Sequence, residues 1–343
     1  MSDSTNLSRA RVNINDEYYT LYDSIKEEIK HYKGQFKNKV VYCPCDNPLK
    51  SNFFKFFKKN FKKLGLKKLI ASYYNGDVKK SLFGKTSAYA GYSIVDSTNY
   101  DKNTVIHRLR GNGDFRSQEC ISMMLHHADI VVTNPPFSLF RRFIYLMYRH
   151  NKKFLVIGHL SGVTYKEVFL PFKKDIMRIG FSSYGKTTMP FTTPDNKISS
   201  IPALWYTNLD YSDCLPFLKL TNKYMKESYK KLLTYDAINV NSMRDVPDNY
   251  YGLIAVPVSF ITLLNTKQFK IVGITRTWDT NNGCLNKKLK LMQYKKESFT
   301  GTYLTVSNGD VLVEDPQADV YYKMQGSDKK YRLSFPRLLI KRV

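Results

Sequence analysis

Asp129-Ile130-Val131-Val132-Thr133-Asn134-Pro135-Pro136-Phe137 decides the reading of this chain. Four β-favouring residues run into a Pro-Pro punctuation, and an amphipathic segment, residues 138–150, follows at once. That order predicts a central strand of a parallel sheet passing into a helix. In an open α/β sheet, ligands bind outside the carboxyl ends of the strands. Asn134, Pro135, Pro136 and Phe137 are therefore expected where chemistry takes place.

These residue types suit the holding of a planar group that carries an NH2. The two prolines fix φ and restrict the residue before them, which holds the Asn134 amide and the Pro135 carbonyl in place. Both oxygens accept hydrogen bonds and could take the two hydrogens of an exocyclic amine, freeing its lone pair from the ring. Phe137 offers an aromatic face for an extruded base. The plainer alternative is a proline-rich strand-to-helix turn with a packed Phe.

Outward from this stretch, the charge is the most informative part of the composition. Lys and Arg number 54 against 29 Asp and Glu, a formal balance of +25, which points to a polyanionic partner. Nucleic acid is favoured over a membrane surface, because no apolar run approaches the ~18 residues of a membrane span. Residues 1–11 are polar and lack the apolar core of a signal peptide, so a cytoplasmic protein is expected. The cysteines, Cys43, Cys45, Cys120, Cys214 and Cys284, are odd in number and lack C-x-x-C spacing. That argues against a disulfide framework and against a zinc site, and no metal is expected.

Along the chain, Leu21, Ile25 and Ile29 repeat at helical spacing, and residues 39–43 read as a strand. Ser51 can cap the next helix, whose Phe53, Phe54, Phe56, Phe57 and Phe61 make an apolar face. The interleaved Lys55, Lys58, Lys59, Lys62 and Lys63 point outward, as a solvated face or as phosphate contacts. Residues 68–72 read as a second strand, 73–103 as a hairpin or inserted loop, and 105–109 as a short strand. A helix over 117–127 precedes the central strand. A further strand at 154–158 and a helix at 164–172 follow it, and 203–207 reads as a late strand that could run antiparallel at the sheet edge. Residues 182–200, rich in Thr, Ser, Pro and Lys, read as a mobile loop beside the site. The alternation predicts an α/β fold with a doubly wound, mostly parallel, Rossmann-like sheet. A catalytic domain over 1–225 and a mixed second region over 226–343 complete the expected organisation.

The turn after the first strand is where such a sheet receives a nucleotide-like cofactor. No G-x-G-x-x-G lies near it, so a pyrophosphate is not indicated. S-adenosylmethionine has none, and its positive ammonium and sulfonium would favour an acidic residue there. Asp46 is the candidate; the alternative is an Asx turn before Pro48. Asp114, in a turn with Gly111 and Gly113, could accept from an adenine amine, or serve as a turn or cap residue. Tyr18, Tyr19 and Thr20 could cover the methionine end of the donor, or pack ordinarily.

With these residues placed, the sequence resembles the EcoRI-type adenine-specific DNA methyltransferases. The likeness runs through Asp16-Glu17-Tyr18-Tyr19-Thr20, the stretch from Lys39 to Cys43 with Cys45-Asp46 and Pro48, and Ser51-Asn52-Phe53-Phe54-Lys55. It continues through Gly113-Asp114-Phe115-Arg116-Ser117 and the central motif to Tyr235-Asp236-Ala237-Ile238-Asn239. The resemblance implies that Asn134, Pro135, Pro136 and Phe137 are catalytic. It implies that Tyr18, Tyr19, Thr20, Cys43, Cys45, Asp46, Pro48, Asp114 and Phe115 bind S-adenosylmethionine. It also implies that the sequence after about residue 180 reads double-stranded DNA, with Arg244, Lys267, Arg276 and Lys288 as contacts. Residues 189–200 and 276–329 match the family poorly, so its target sequence does not transfer.

The expected function is N6 methylation of a flipped adenine in duplex DNA, within or derived from a restriction–modification system. A monomer would suffice, with a cognate endonuclease acting without a stable complex. The other readings are an RNA or protein amide methyltransferase, a cytosine N4 enzyme, and a catalytically silent DNA-binding protein.

Overall fold

The run Ile130–Thr133 is a fully buried strand in the computed structural model, which describes residues 19–32, 34–75, 89–193, 195–210 and 215–343. The chain divides into two compact units, Met1–Gly162 with Met177–Cys214, and Val163–Ile176 with Leu215–Val343. The division falls before the expected 225/226 and gives one helix from the first half of the chain to the second unit.

In the first unit, β1 (Tyr19–Thr20) leads into α1 (Tyr22–Ile29). Next come β2 (Val40–Cys43), α2 (Asn52–Lys59), α3 (Phe61–Leu64), β3 (Lys68–Tyr73), β4 (Gly91–Val95) and β5 (His107–Arg108). After α4 (Gln118–Ser122) and a π-helical turn at Met123–His127 comes β6, the run Ile130–Thr133. Then follow α5 (Phe140–Arg149), β7 (Lys153–His159), β8 (Arg178–Ile179), β9 (Met189–Thr192), β10 (Ile198–Ile201) and β11 (Ala203–Thr207).

Eight strands form one sheet in the order β5-β4-β3-β2-β6-β7-β11-β8. Only the middle of it is parallel: β3 with β2, β2 with β6, and β6 with β7. The expected mostly parallel sheet is corrected at both margins. A parallel neighbour needs a crossover, usually a helix. β4 instead runs antiparallel to β3, and β11 runs back along β7 with Ala203 opposite His159. β11 is antiparallel but not the edge, because β8 lies outside it.

Helices cover both faces. Alternate side chains of a strand point to opposite faces. Val41, Ile130, Leu155, Ile157 and Trp205 share a core cluster with Ile25 and Ile29 of α1 and with Phe53 and Phe57 of α2. The Phe53 ring meets Trp205 edge-on at 5.8 Å. On the opposite face Phe140, at the start of α5, lies against Tyr206 at 4.9 Å. Its ring also fills the space that a Cβ on Gly158 would need. The lysines of α2 and α3 mostly point outward as expected. Lys58 is half-buried instead, donating to the Lys102 carbonyl at 2.7 Å and to Thr104 Oγ1 at 2.9 Å.

Residues 182–200 depart most from the sequence reading. Rather than an unstructured loop, they contain β9 and β10, which join β1 in a three-stranded antiparallel sheet. Thr20 pairs with Phe191 and Tyr19 with Thr192.

The second unit contains α6 (Lys166–Lys173), whose Phe169 packs on Trp278 at 5.6 Å. It also holds β12 (Ala237–Asn239), β13 (Leu253–Pro257), β14 (Phe269–Ile274), β15 (Lys290–Lys295), β16 (Ser298–Thr305) and β17 (Val311–Glu314). β18 (Val320–Lys323), β19 (Tyr331–Ser334) and β20 (Arg337–Arg342) complete it. They form a four-stranded sheet, β12-β13-β20-β14, and a five-stranded antiparallel sheet, β16-β15-β18-β19-β17. The mixed second half with no βαβ rhythm is as the sequence predicts.

Candidate active site

The chain leaves β6 at Thr133 and enters a short 3-10 turn at Phe137–Leu139 before α5 begins. Pro135 is buried, Pro136 exposed, and Asn134 and Phe137 half-buried. This is the strand end in the middle of the sheet where the sequence places the motif. Phe137 packs against the cluster that includes Ile157 and Phe191. Its ring meets the Phe191 ring at 6.5 Å and the His159 ring at 6.1 Å, both edge-on.

Beside β6, β2 ends at Cys43 and its turn carries Asp46. The carboxylate is buried, with 6 % of its surface exposed, yet each oxygen has a hydroxyl partner. Ser51 Oγ donates to Oδ1 and Thr133 Oγ1 donates to Oδ2, both at 2.6 Å. Burial pushes the Asp46 carboxyl up to about 6, against the pull of those two hydrogen bonds. The Asx turn weighed for Asp46 is made by its neighbour, since Asn47 Oδ1 accepts from Leu49 N at 3.0 Å. Ser51 caps α2 as its sequence position predicts, accepting from Phe53 N at 3.0 Å. One hydroxyl thereby starts the helix and holds the carboxylate.

Other members of the expected donor set divide. Pro48 is buried in the same turn and Cys45 is half-buried, its thiol pushed well up by burial. Cys43 belongs to the hydrophobic core. Tyr18 lies outside the described residues. Tyr19 is 42 % exposed, whereas Thr20 is buried and its carbonyl accepts from Asn52 Nδ2 at 2.8 Å. The pairing of β1 with β9 and the Asn52 bond bring Thr20 to the start of α2 and to Phe191, which faces Phe137. Thr20 Oγ1 is buried and has no hydrogen-bond partner among the described residues.

Asp114 sits after Gly113, whose φ of +73° and close approach to the Tyr73 carbonyl leave no room for a Cβ. The Asp114 carboxylate does make a local turn, accepting from Arg116 N at 2.8 Å. It also holds the Arg116 guanidinium through two bonds, Nε to Oδ1 at 2.9 Å and Nη2 to Oδ2 at 2.6 Å. Burial raises the Asp114 carboxyl, but the Arg116 hydrogen bonds and charge outweigh it and hold the group below its ordinary value. Phe115 is buried and meets Phe143 of α5 edge-on at 5.0 Å.

The four basic residues expected at DNA come from different segments of the second unit. Arg244, Lys267 and Lys288 are exposed on separate connections. Lys267 and Arg276 flank opposite ends of β14. Arg276 is half-buried, and its guanidinium donates to Thr164 Oγ1 at 3.3 Å.

Sequence reasoning missed Thr133 as the partner of Asp46, and Phe191 and His159 as neighbours of Phe137. A Thr closing a β-run and a His ending an apolar run carry no special pattern. Among the described residues no group of three or more His, Cys, Asp or Glu could hold a metal, and no helix is long and apolar enough to cross a membrane.

Comparison with known proteins is consistent with this geometry. The family model described as adenine-specific methyltransferase EcoRI matches residues 6–342. The chain is 38 % identical over 304 residues to Type II methyltransferase M.EcoRI of Escherichia coli, covering 82 % of this chain and 93 % of that one. It is 38 % identical over 324 residues to Type II methyltransferase M.MgeORF184P of Mycoplasma genitalium, covering 89 % and 93 %. It is 35 % identical over 323 residues to Type II methyltransferase M.MpnI of Mycoplasma pneumoniae, covering 89 % and 92 %. No solved structure matches. With a family match over nearly its whole length and a motif at a central strand end, this chain belongs to the EcoRI family of adenine-specific methyltransferases.

Proposed function

We propose that the protein methylates the exocyclic N6 of an adenine flipped out of duplex DNA at a specific sequence, with S-adenosylmethionine as donor. The observation that carries this reading is the bond from Thr133 to Asp46, which ties the Asn134–Phe137 turn to the turn at the end of β2. The two ends lie on adjacent parallel strands, where an open sheet of the Rossmann type receives its ligands.

The residues around the β2 turn fit the donor. A buried carboxylate, ionised at neutral pH, suits a positively charged group, and a nearby cation would lower its pKa again. Thr20 Oγ1 needs a partner, and Asp114 Oδ2 keeps a lone pair beyond the one that Arg116 uses. When bound, S-adenosylmethionine supplies a methyl group activated by its sulfonium. Asn134 and the Pro135 carbonyl bind the two amine hydrogens and orient the lone pair, while Phe137 stacks on the base. Positioning and exclusion of water supply most of the rate, and the proton is lost only after the amine has gained its methyl. The basic chain holds the duplex by its phosphates, at a monomer's single site. A cytoplasmic location, and a partner endonuclease acting independently, belong to the same reading.

The test is single-molecule sequencing of genomic DNA from a host expressing the protein, beside an Asn134→Ala control. Modified adenine at one recurring motif, absent from the control, is expected. Soluble protein with no modified base in either sample would overturn the reading. Modified cytosine at a recurring motif would move it to cytosine N4.

A further inference from the structure

We propose that His159 is a base-contacting residue whose Nε2–H donates to a ring nitrogen of the target adenine, an inference that rests on the base-methylation reading above. β7 continues beyond its pairing of Val156 with Thr133, so Ile157, Gly158 and His159 run alongside the chain as it leaves β6. Strand alternation puts His159 on the face of Ile157, the face where Phe137 and Phe191 pack, while Gly158 faces Phe140. The His159 ring stands 6.1 Å from Phe137, at 70° to it. It thus lies beside the aromatic ring that is to carry the base.

The ring is held in one state. Ser161 N, which can only donate, points at Nδ1 from 3.1 Å, and Ser161 Oγ lies 2.7 Å from the same nitrogen. Nδ1 must therefore present its lone pair, and the neutral ring carries its proton on Nε2. Burial lowers the pKa of His159, which agrees with a neutral ring. The backbone is pinned as well, since the His159 carbonyl accepts from Tyr206 OH at 2.9 Å. A neutral, fixed, single donor beside an aromatic wall suits a base edge better than a phosphate, which calls for a cation. The ring nitrogens of adenine that remain acceptors during methylation are N1, N3 and N7.

The test uses duplexes carrying the motif found by sequencing, with adenine, 1-deazaadenine, 3-deazaadenine or 7-deazaadenine at the target position. Wild-type protein is expected to lose about 10–100-fold in kcat/KM on the one analogue that lacks the contacted nitrogen. His159→Ala is expected to fall to a similar level on adenine and to show a ratio near one between adenine and that analogue. His159→Gln, which keeps an N–H donor, is expected to recover part of the ratio. Wild type indifferent to all three analogues would overturn the assignment, as would full discrimination retained by His159→Ala. Wild type that leaves the adenine duplex unmethylated sinks the base-methylation reading itself, and that result is seen before any variant is compared.

Discussion

Thr133 Oγ1 and Asp46 Oδ2 are 2.6 Å apart, and both side chains are buried. The residue before Asn134 is thereby bonded to the turn at the end of the neighbouring strand. Asn134 is positioned through its backbone by a side chain that also fixes the expected donor turn.

Thr133→Val keeps the shape of the side chain but leaves Asp46 Oδ2 without its donor. An unsatisfied buried acceptor costs about 1–3 kcal/mol, so urea denaturation should show a loss in that range. Titration calorimetry should show weaker binding of S-adenosylmethionine. Thr133→Ser, which keeps the hydroxyl, should stay close to wild type in both.

Asp46 gives the fold a pH dependence of defined sign. Its carboxyl rises from 3.8 to about 6 on folding, so the folded chain holds the proton more tightly than the unfolded one. The stability this group contributes is complete below the ordinary value and is lost as pH rises through about 6. Asp46→Asn removes that group, and the difference in stability between wild type and variant should change between pH 4 and 6.5. A constant difference across that window would show that Asp46 does not titrate there.

Gly113 has a positive φ and no space for a Cβ beside the Tyr73 carbonyl. Gly113→Ala adds left-handed strain to a backbone collision and should cost about 2 kcal/mol or more. Because Asp114 follows directly, donor affinity should fall with stability, as read by thermal melting with and without S-adenosylmethionine.

The basic residues of the second unit should separate by burial. Arg244→Ala, Lys267→Ala and Lys288→Ala remove exposed cations. Any that touches a phosphate should weaken DNA binding and reduce the salt slope by about one. Arg276 is bonded to Thr164, so Arg276→Ala should lower the melting temperature as well. Binding isotherms at several salt concentrations, beside thermal melts, distinguish the two patterns.

Local patterns were legible, and pairings distant in sequence were not. The apolar run into Asn-Pro-Pro-Phe marks β6 and its turn, and Ser51 marks the start of α2, because each signal lies within a few neighbouring residues. The pairing of Thr20 with Phe191 has no such signal. A two-residue strand cannot announce itself, and its partner, Met189-Pro190-Phe191-Thr192, contains a proline that reads as a loop. Helical periodicity foretells a helix near Lys166–Lys173 but not which sheet its apolar side covers. Of the site, the sequence names the carboxylate at Asp46. Of the two hydroxyls that bind it, Ser51 lies in the same turn, whereas Thr133 comes from the next strand and only folding brings it there.

The assignment of Val163–Ile176 to the second unit bears on how that unit could be exchanged among relatives. The polypeptide passes between the units three times, at 162/163, 176/177 and 214/215. A chimera joined once, near residue 215, would keep the original α6 opposite a foreign β14, and Phe169 would lose its own Trp278. Val168, Phe169 and Phe172, all buried, would have to fit a surface that did not evolve with them. Working hybrids should therefore need the short insert transplanted together with the C-terminal part, as two pieces inherited as one.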